Sequence, residues 1–145
     1  MGTRSLTYVF STDSSGDSKP LVCMYRQYDG YLAGHGLELA EFLSPFKIVN
    51  GLGGRSLDDP KPANGMGCLA AQMVSHFKGD TPGNFYLHPT ELGQDCCQDY
   101  EYHVYKDVVT VYDAGGNLVF SGNWAEFLKE CQEEAEYLEA MRVAQ

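Results

Sequence analysis

The sequence has few basic residues and no long apolar run. Its 145 residues include 10 lysines and arginines against 20 aspartates and glutamates, for a formal net charge of −10. Because phosphate contacts dominate the affinity for duplex nucleic acid, this charge argues against a nucleic acid duplex as partner. No run of about 18 apolar residues occurs, so we expect no membrane partner. The first residues lack a charged segment followed by an apolar one, so we expect no signal peptide and a cytoplasmic protein.

The five cysteines form no motif of a disulfide framework or a zinc ribbon, because their number is odd and no C-x-x-C occurs. Cys96 and Cys97 are adjacent, and this pair predicts no function beyond its place in a loop. The histidines at positions 35, 76 and 88 have no ligand spacing, so we predict no metal site and no cofactor.

Hydrophobic periodicity predicts one α+β domain over residues 1–145. Apolar alternation and turn signals predict strands over 6–11, 21–28, 46–49, 85–88, 100–105, 108–112 and 118–121. Helical spacing predicts helices that begin near residues 37, 66 and 123. This order favours a mainly antiparallel sheet with about three helices packed on it.

The last helix begins with a predicted capping box, Asn123 with Glu126. Its apolar face is expected to cover the sheet, although the same spacing would suit a helix partner in a homo-oligomer. The residues of that face are Trp124, Phe127, Leu128, Cys131, Ala135, Leu138 and Met141.

A long glycine-rich stretch without periodicity covers residues 50–67. Loops of this length inside a domain are uncommon and usually functional or disordered. Glycines before a helix expose backbone N–H groups that bind anions, and arginine adds a bidentate donor for phosphate. We therefore predict a small anionic, nucleotide-like ligand, and tight turns remain the alternative role of the glycines. The predicted ligand-binding residues are Arg4, Arg26, Tyr28, His35, Gly53, Gly54, Arg55, Asn64, Gly65 and Gly67.

Known phosphate-binding motifs do not explain this stretch. No Gly-Lys-Ser/Thr follows its glycines, and no strand followed by G-x-G-x-x-G is predicted, so we expect neither a P-loop nor a dinucleotide-binding fingerprint. For His35, which lies between two glycines, a neutral histidine in a turn is the alternative to a ligand contact.

A second hypothesis is a cysteine-dependent hydrolase or transferase. Cys68 lies at a predicted helix start, where the helix dipole favours a thiolate, and His103 on a later strand would accept its proton. His88 is the second choice of base. A buried structural cysteine is the alternative, because Leu-Ala-Ala after Cys68 is typical of helix packing.

A resemblance to other proteins is carried by five short stretches in the first 90 residues. They are Met1–Thr7, Met24–Tyr31, Gly34–Gly36, Ile48–Gly51 and Asn64–Gln72. Together they resemble a group of small proteins from bacterial and phage genomes, and the resemblance carries no activity to this chain. Some small phage proteins without catalytic motifs sequester nucleotide signals made by bacterial immune systems. By that analogy we expect a non-enzymatic anti-defence binding protein, in the host cytoplasm if phage-encoded.

Overall fold

The computed structural model describes residues 2–12, 14–51 and 61–144. In these ranges a six-stranded sheet carries helices on one face, and a two-stranded sheet lies beside it. The predicted α+β class is therefore confirmed. The element order differs from the prediction by two additions, a π-helical turn at Leu32–Gly36 and a strand at Lys61–Asn64.

The main sheet has the strand order β5-β2-β1-β6-β7-β8. Its strands are β1 (Ser5–Thr12), β2 (Ser18–Arg26), β5 (Phe85–His88), β6 (Tyr100–Tyr105), β7 (Val108–Asp113) and β8 (Leu118–Asn123). β1 and β6 run in parallel, and the other neighbouring pairs are antiparallel. The predicted strands are thus correct in type, and their ends differ by a few residues.

Alternation along the strands divides the side chains between two faces of the sheet. Val9 and Val104 belong to the main core under the helices. Tyr8 and Cys23 belong to a smaller cluster on the opposite face. We call this opposite face the outer face.

The second sheet corrects the prediction of a loop over residues 50–67. β3 (Phe46–Val49) pairs in parallel with β4 (Lys61–Asn64), and Asn64 is followed at once by α2. The strand was missed because its sequence, Lys-Pro-Ala-Asn, has low strand propensity, and pairing with β3 overrides that preference.

Three α-helices are described: α1 (Leu37–Leu43), α2 (Gly65–Lys78) and α3 (Trp124–Val143). α2 packs on β1 and β2, while α3 packs on α1 and the π-helical turn. The π-helical turn was not predicted because Gly34 and Gly36 are poor helix formers. Among the described residues, no helix has the length and apolar character needed to cross a membrane.

The prediction that the whole apolar stripe of α3 packs inward is wrong for its carboxyl end. Trp124, Phe127 and Cys131 are buried, whereas Leu138 is 42% and Met141 49% exposed. The helix extends beyond the core on which it packs, so the carboxyl-terminal part of its apolar stripe remains exposed.

The side chain of Lys78 lies over the free edge of β5, an outer strand of the sheet. The Asn84 carbonyl accepts the Gln27 N–H from the β2 side, so the carbonyl of Phe85 points away from β2. Lys78 Nζ donates to this carbonyl at 2.8 Å.

The predicted capping box of α3 is confirmed, because the Asn123 side chain accepts the Glu126 N–H and the Glu126 side chain accepts the Asn123 N–H, both at 2.8 Å. We expect Asn123→Ala to lower the free energy of unfolding by about 1 kcal/mol, since an N–H at the start of α3 loses its acceptor. Chemical denaturation measures this. Asn123→Ser keeps an acceptor and should stay near the wild type, and equal losses in both variants would contradict the capping role.

Candidate functional site

A pocket of about 420 Å³ lies where four strands end. Its walls come from the carboxyl ends of β1, β3 and β4, from the first turn of α2, and from Lys106 in the turn after β6. β1 is parallel to β6, and β3 is parallel to β4, so these ends meet on one side of the molecule. In α/β folds, ligands bind in the crevice beyond the carboxyl ends of parallel strands.

The start of α2 forms the floor of this pocket without a side-chain cap. The Asn64 side chain makes no capping bond to α2, and its Oδ1 instead accepts the Gly51 N–H at 2.8 Å. The first N–H groups of a helix have no partner within the helix, and they carry the positive end of its dipole. The pocket therefore offers N–H donors to an anion.

The two glycines of this turn have different structural roles. Gly65 has a φ of +83°, a conformation that side-chain-bearing residues rarely adopt, so the turn from β4 into α2 requires glycine. Gly67 is exposed, and a Cβ placed on it meets no described atom within 4 Å. Packing among the described residues therefore does not require glycine at position 67.

These glycines form a motif that the sequence prediction excluded. Gly65-Met66-Gly67-Cys68-Leu69-Ala70 has the spacing G-x-G-x-x-A, it follows β4, and it opens α2. In dinucleotide-binding folds the first small residue makes the turn, the second lets the backbone approach a pyrophosphate, and the third packs the helix on the sheet. Ala70 is 6% exposed and belongs to the main core, as the third position requires. The motif was missed because β4 was missed.

Arg26 and His35 lie elsewhere, in a buried polar network. Arg26 Nε donates to the Tyr28 carbonyl at 2.7 Å, and its Nη1 donates to Glu38 and, at 3.2 Å, to His35 Nδ1. His35 Nε2 lies 2.7 Å from Thr7 Oγ1. Arginine only donates, so Nδ1 accepts and Nε2 carries the hydrogen that is donated to Thr7. His35, a predicted ligand residue, is fully buried, and both of its ring nitrogens contact protein groups.

A separate pocket of about 510 Å³ borders this network, and its charges do not suit an anion. Glu38 and Glu41 line it, and the guanidinium of Arg26 is already paired with Glu38. In the pocket at the start of α2, by contrast, Lys106 is the one charged residue among the described residues of the lining. An anionic ligand is therefore favoured at the start of α2.

Arg4 and Tyr28, two other predicted ligand residues, do not line the pocket at α2. The backbone N–H of Arg4 donates to Asp99, and the carbonyl of Arg4 accepts from the Asp99 and Tyr100 N–H groups, which ties it to the start of β6. Tyr28 is exposed near Asn84, whose side chain accepts its N–H at 3.1 Å. The predictions at Gly53, Gly54 and Arg55 lie outside the described residues.

Cys68 and His103, the predicted catalytic pair, lie on opposite sides of the sheet. Cys68 packs against the main core and accepts a hydrogen bond from Gln72 Nε2 at 3.4 Å. His103 is on the outer face, with its ring 5.3 Å from that of Tyr8 and its Nε2 3.2 Å from Glu101. Alternation in β6 points residue 103 away from the helices, so this pair does not form. In the described ranges, no three histidine, cysteine or acidic side chains cluster as metal ligands.

Sequence reasoning missed Lys106, Ser11 and Thr12 as pocket residues. Each follows or ends a strand, and they meet only because β1 and β6 are parallel neighbours. The sequence marked this region only by the polar turn Lys106-Asp107. Such turns occur in many hairpins and do not indicate a pocket.

Comparison with known proteins finds no matching family model, no matching curated protein and no matching solved structure.

His35 should make stability fall as the pH drops below neutrality. Burial, and then the charge of Arg26, lower the pKa of His35 to about 3 from its ordinary 6.5. Below pH 6.5 His35 is protonated in the unfolded chain, whereas in the folded chain it stays neutral until about pH 3. The free energy of unfolding should therefore decrease across this window, by up to about 1.4 kcal/mol per pH unit from this group.

Denaturation of His35→Gln at several pH values tests this expectation. The variant should be less stable at pH 7, because it disturbs a buried network, but its stability should fall less steeply between pH 6.5 and 4.5. Tyr102→Phe is the control, since it removes the 2.7 Å bond to the Gly30 carbonyl without removing a group that titrates in acid. A wild-type slope in His35→Gln would contradict the assignment.

Proposed function

We propose that the protein binds a small anionic ligand, of the nucleotide class, in the pocket at the start of α2. The observation that carries the proposal is the uncapped turn from β4 into α2 with the spacing G-x-G-x-x-A. Such a turn presents backbone N–H groups to a phosphate, and Lys106 supplies a positive charge across the pocket.

The apolar part of the lining supports a ligand with a ring as well as a phosphate. Phe10, Ile48 and Met66 form this part, while Ser11, Thr12, Asn50 and Asn64 provide polar groups. A volume of about 420 Å³ is within the range of small-molecule pockets, about 300–1,000 Å³. The resemblance to small bacterial and phage proteins extends the proposal to a role, the sequestration of nucleotide signals in the host cytoplasm.

A thermal-shift screen over cyclic nucleotides and ADP-ribose-like nucleotides tests ligand binding. A nucleotide at 100 times its Kd should stabilise the protein by about 2.7 kcal/mol. No stabilisation by any anionic nucleotide would contradict the proposal.

Gly67→Ala separates ligand binding from folding. Alanine is favoured over glycine in a helix by about 0.5–1 kcal/mol, and the added Cβ meets no described atom, so we expect higher stability. The methyl group should also hold a phosphate away from the backbone, so we expect binding of the best nucleotide from the screen to weaken about tenfold or more. Denaturation and calorimetric titration measure the two effects.

Lys106→Gln should weaken the same binding by about tenfold or more, since a charge-assisted hydrogen bond contributes about 1.5–3 kcal/mol. Lys129→Gln is the matched control, because it removes an exposed lysine from α3, outside the pocket lining. Unchanged affinity in both Gly67→Ala and Lys106→Gln would place the ligand elsewhere.

We further propose that two copies associate through the carboxyl end of α3. Leu138 and Met141 continue the buried stripe of this helix at the spacing that packs against another helix.

Leu138→Glu should convert the assembly to a monomer, because a carboxylate in an apolar helix interface is strongly unfavourable. Sedimentation measures the mass, and Gln132→Glu, an exposed change on the same helix, should keep the wild-type assembly. A monomeric wild type would end this part of the proposal without affecting the ligand site.

A further inference from the structure

A cysteine and a histidine other than the predicted catalytic pair meet on the outer face of the sheet. His88 ends β5, and Cys96 lies in the loop that follows it. The distance between His88 Nδ1 and Cys96 Sγ is 3.2 Å. A nucleophile within hydrogen-bond reach of a base is the arrangement that activates a thiol.

The imidazole of this pair is held in place by its neighbours. The ring of Tyr25 stacks on that of His88 with centroids 4.8 Å apart and planes 9° apart. β2 and β5 are paired here, with Cys23 opposite His88 and Tyr25 opposite Tyr86. This packing fixes the plane in which Nδ1 faces the thiol.

The loop that carries Cys96 is anchored to the sheet by Gln94. Its Nε2 donates to the hydroxyl of Tyr8 at 3.0 Å and to the Glu91 carbonyl at 2.9 Å. Its Oε1 lies 3.5 Å from Cys96 Sγ. The thiol is thus positioned between an amide oxygen and an imidazole nitrogen while remaining partly exposed.

We propose that Cys96 is a nucleophilic thiol whose proton is accepted by His88, and that it undergoes thiol–disulfide exchange with small neutral or cationic disulfides. The site is separate from the pocket at α2 and does not depend on the proposed ligand.

The backbone around Cys96 argues for a disulfide substrate over an acyl substrate. Acyl transfer needs free N–H donors for an oxyanion. The Cys96 N–H donates to Gln98 Oε1 at 2.8 Å, and the Cys97 N–H donates to Asp95 Oδ1 at 2.9 Å. Both nearest donors are therefore occupied, whereas attack on a disulfide develops no oxyanion.

The charges nearby select among disulfides. Asp95 and Glu101 are close enough to act electrostatically on the Cys96 thiol, and burial is the larger of the effects that raise its pKa. The thiol therefore keeps its proton more tightly than an ordinary cysteine, which makes an adjacent base necessary. The same carboxylates repel an anionic disulfide and attract a cationic one.

The exchange step is balanced. Cys96 Sγ attacks one sulfur of the disulfide, and a new S–S bond forms as the old one breaks. The thiol proton passes to His88 Nδ1, and the departing thiolate takes up a proton and leaves as a thiol. Cys96 is oxidised to a mixed disulfide, and one half of the reagent is reduced.

The adjacent Cys97 provides an internal comparison. It is exposed, and among the described residues no side chain pairs with its thiol. We would measure mixed-disulfide formation by mass spectrometry with cystamine, a cationic disulfide, and with oxidised glutathione, an anionic one. Cys97→Ser protein reports on Cys96, and Cys96→Ser protein reports on Cys97.

We expect Cys96 to react with cystamine about tenfold faster than Cys97 or more, despite its lower exposure, and to react more slowly with oxidised glutathione. His88→Gln should slow Cys96 about tenfold or more and leave Cys97 unchanged, because general-base catalysis contributes factors of this size or larger. His76→Gln, a change at an exposed histidine on α2, should leave both rates unchanged.

Equal rates at Cys96 and Cys97, or no effect of His88→Gln in folded protein, would overturn the nucleophile. Oxidised glutathione reacting as fast as cystamine at Cys96 would overturn the substrate class. If circular dichroism shows that His88→Gln does not fold, the comparison of reaction rates between the two serine variants alone tests whether Cys96 is the nucleophile.

Discussion

β1 and β6 lie side by side in the same direction at the centre of the sheet, although about 95 residues separate them in the chain. This pairing aligns their carboxyl ends, so that Ser11, Thr12 and Lys106 meet beside the start of α2. It also orients Tyr8 and His103 to one face and Val9 and Val104 to the other. The pocket at α2 thus depends on a contact that closes a long loop, and such contacts form slowly because the loop entropy must be overcome first.

The helix side of the sheet is fixed by polar contacts as well as by apolar packing. Thr7, His35, Arg26 and Glu38 form one chain of hydrogen bonds from β1 through the π-helical turn to α1. A buried arginine or histidine without partners would be strongly unfavourable, so only one docking of α1 on the sheet satisfies the whole chain. We infer that these four residues, of which Arg26 and His35 were predicted to bind a ligand, determine where α1 and the π-helical turn lie.

Local patterns were sufficient for most of the fold and for little of the candidate site. Alternation located β6, and the Asn123–Glu126 spacing located the start of α3, because both signals lie within a few residues. β4 depends on pairing with β3, and without β4 the glycines at 65 and 67 had no strand before them. Arg26 was read as a ligand residue because sequence does not show burial. The pairing of Cys96 with His88 depends on how a loop folds back over the sheet, which spacing alone does not encode.

The lysine at the end of α2 has a consequence for the behaviour of the protein at high concentration. An unpaired outer strand is a template on which a second chain can add its own strand, and this is a common route to aggregation. Lys78 occupies the outward carbonyl of Phe85, and its positive charge lies at that edge. A neighbouring molecule would have to displace this bond and bury the ammonium group to extend the sheet. The edge that carries the exposed Tyr86 and Leu87 is therefore protected against edge-to-edge association.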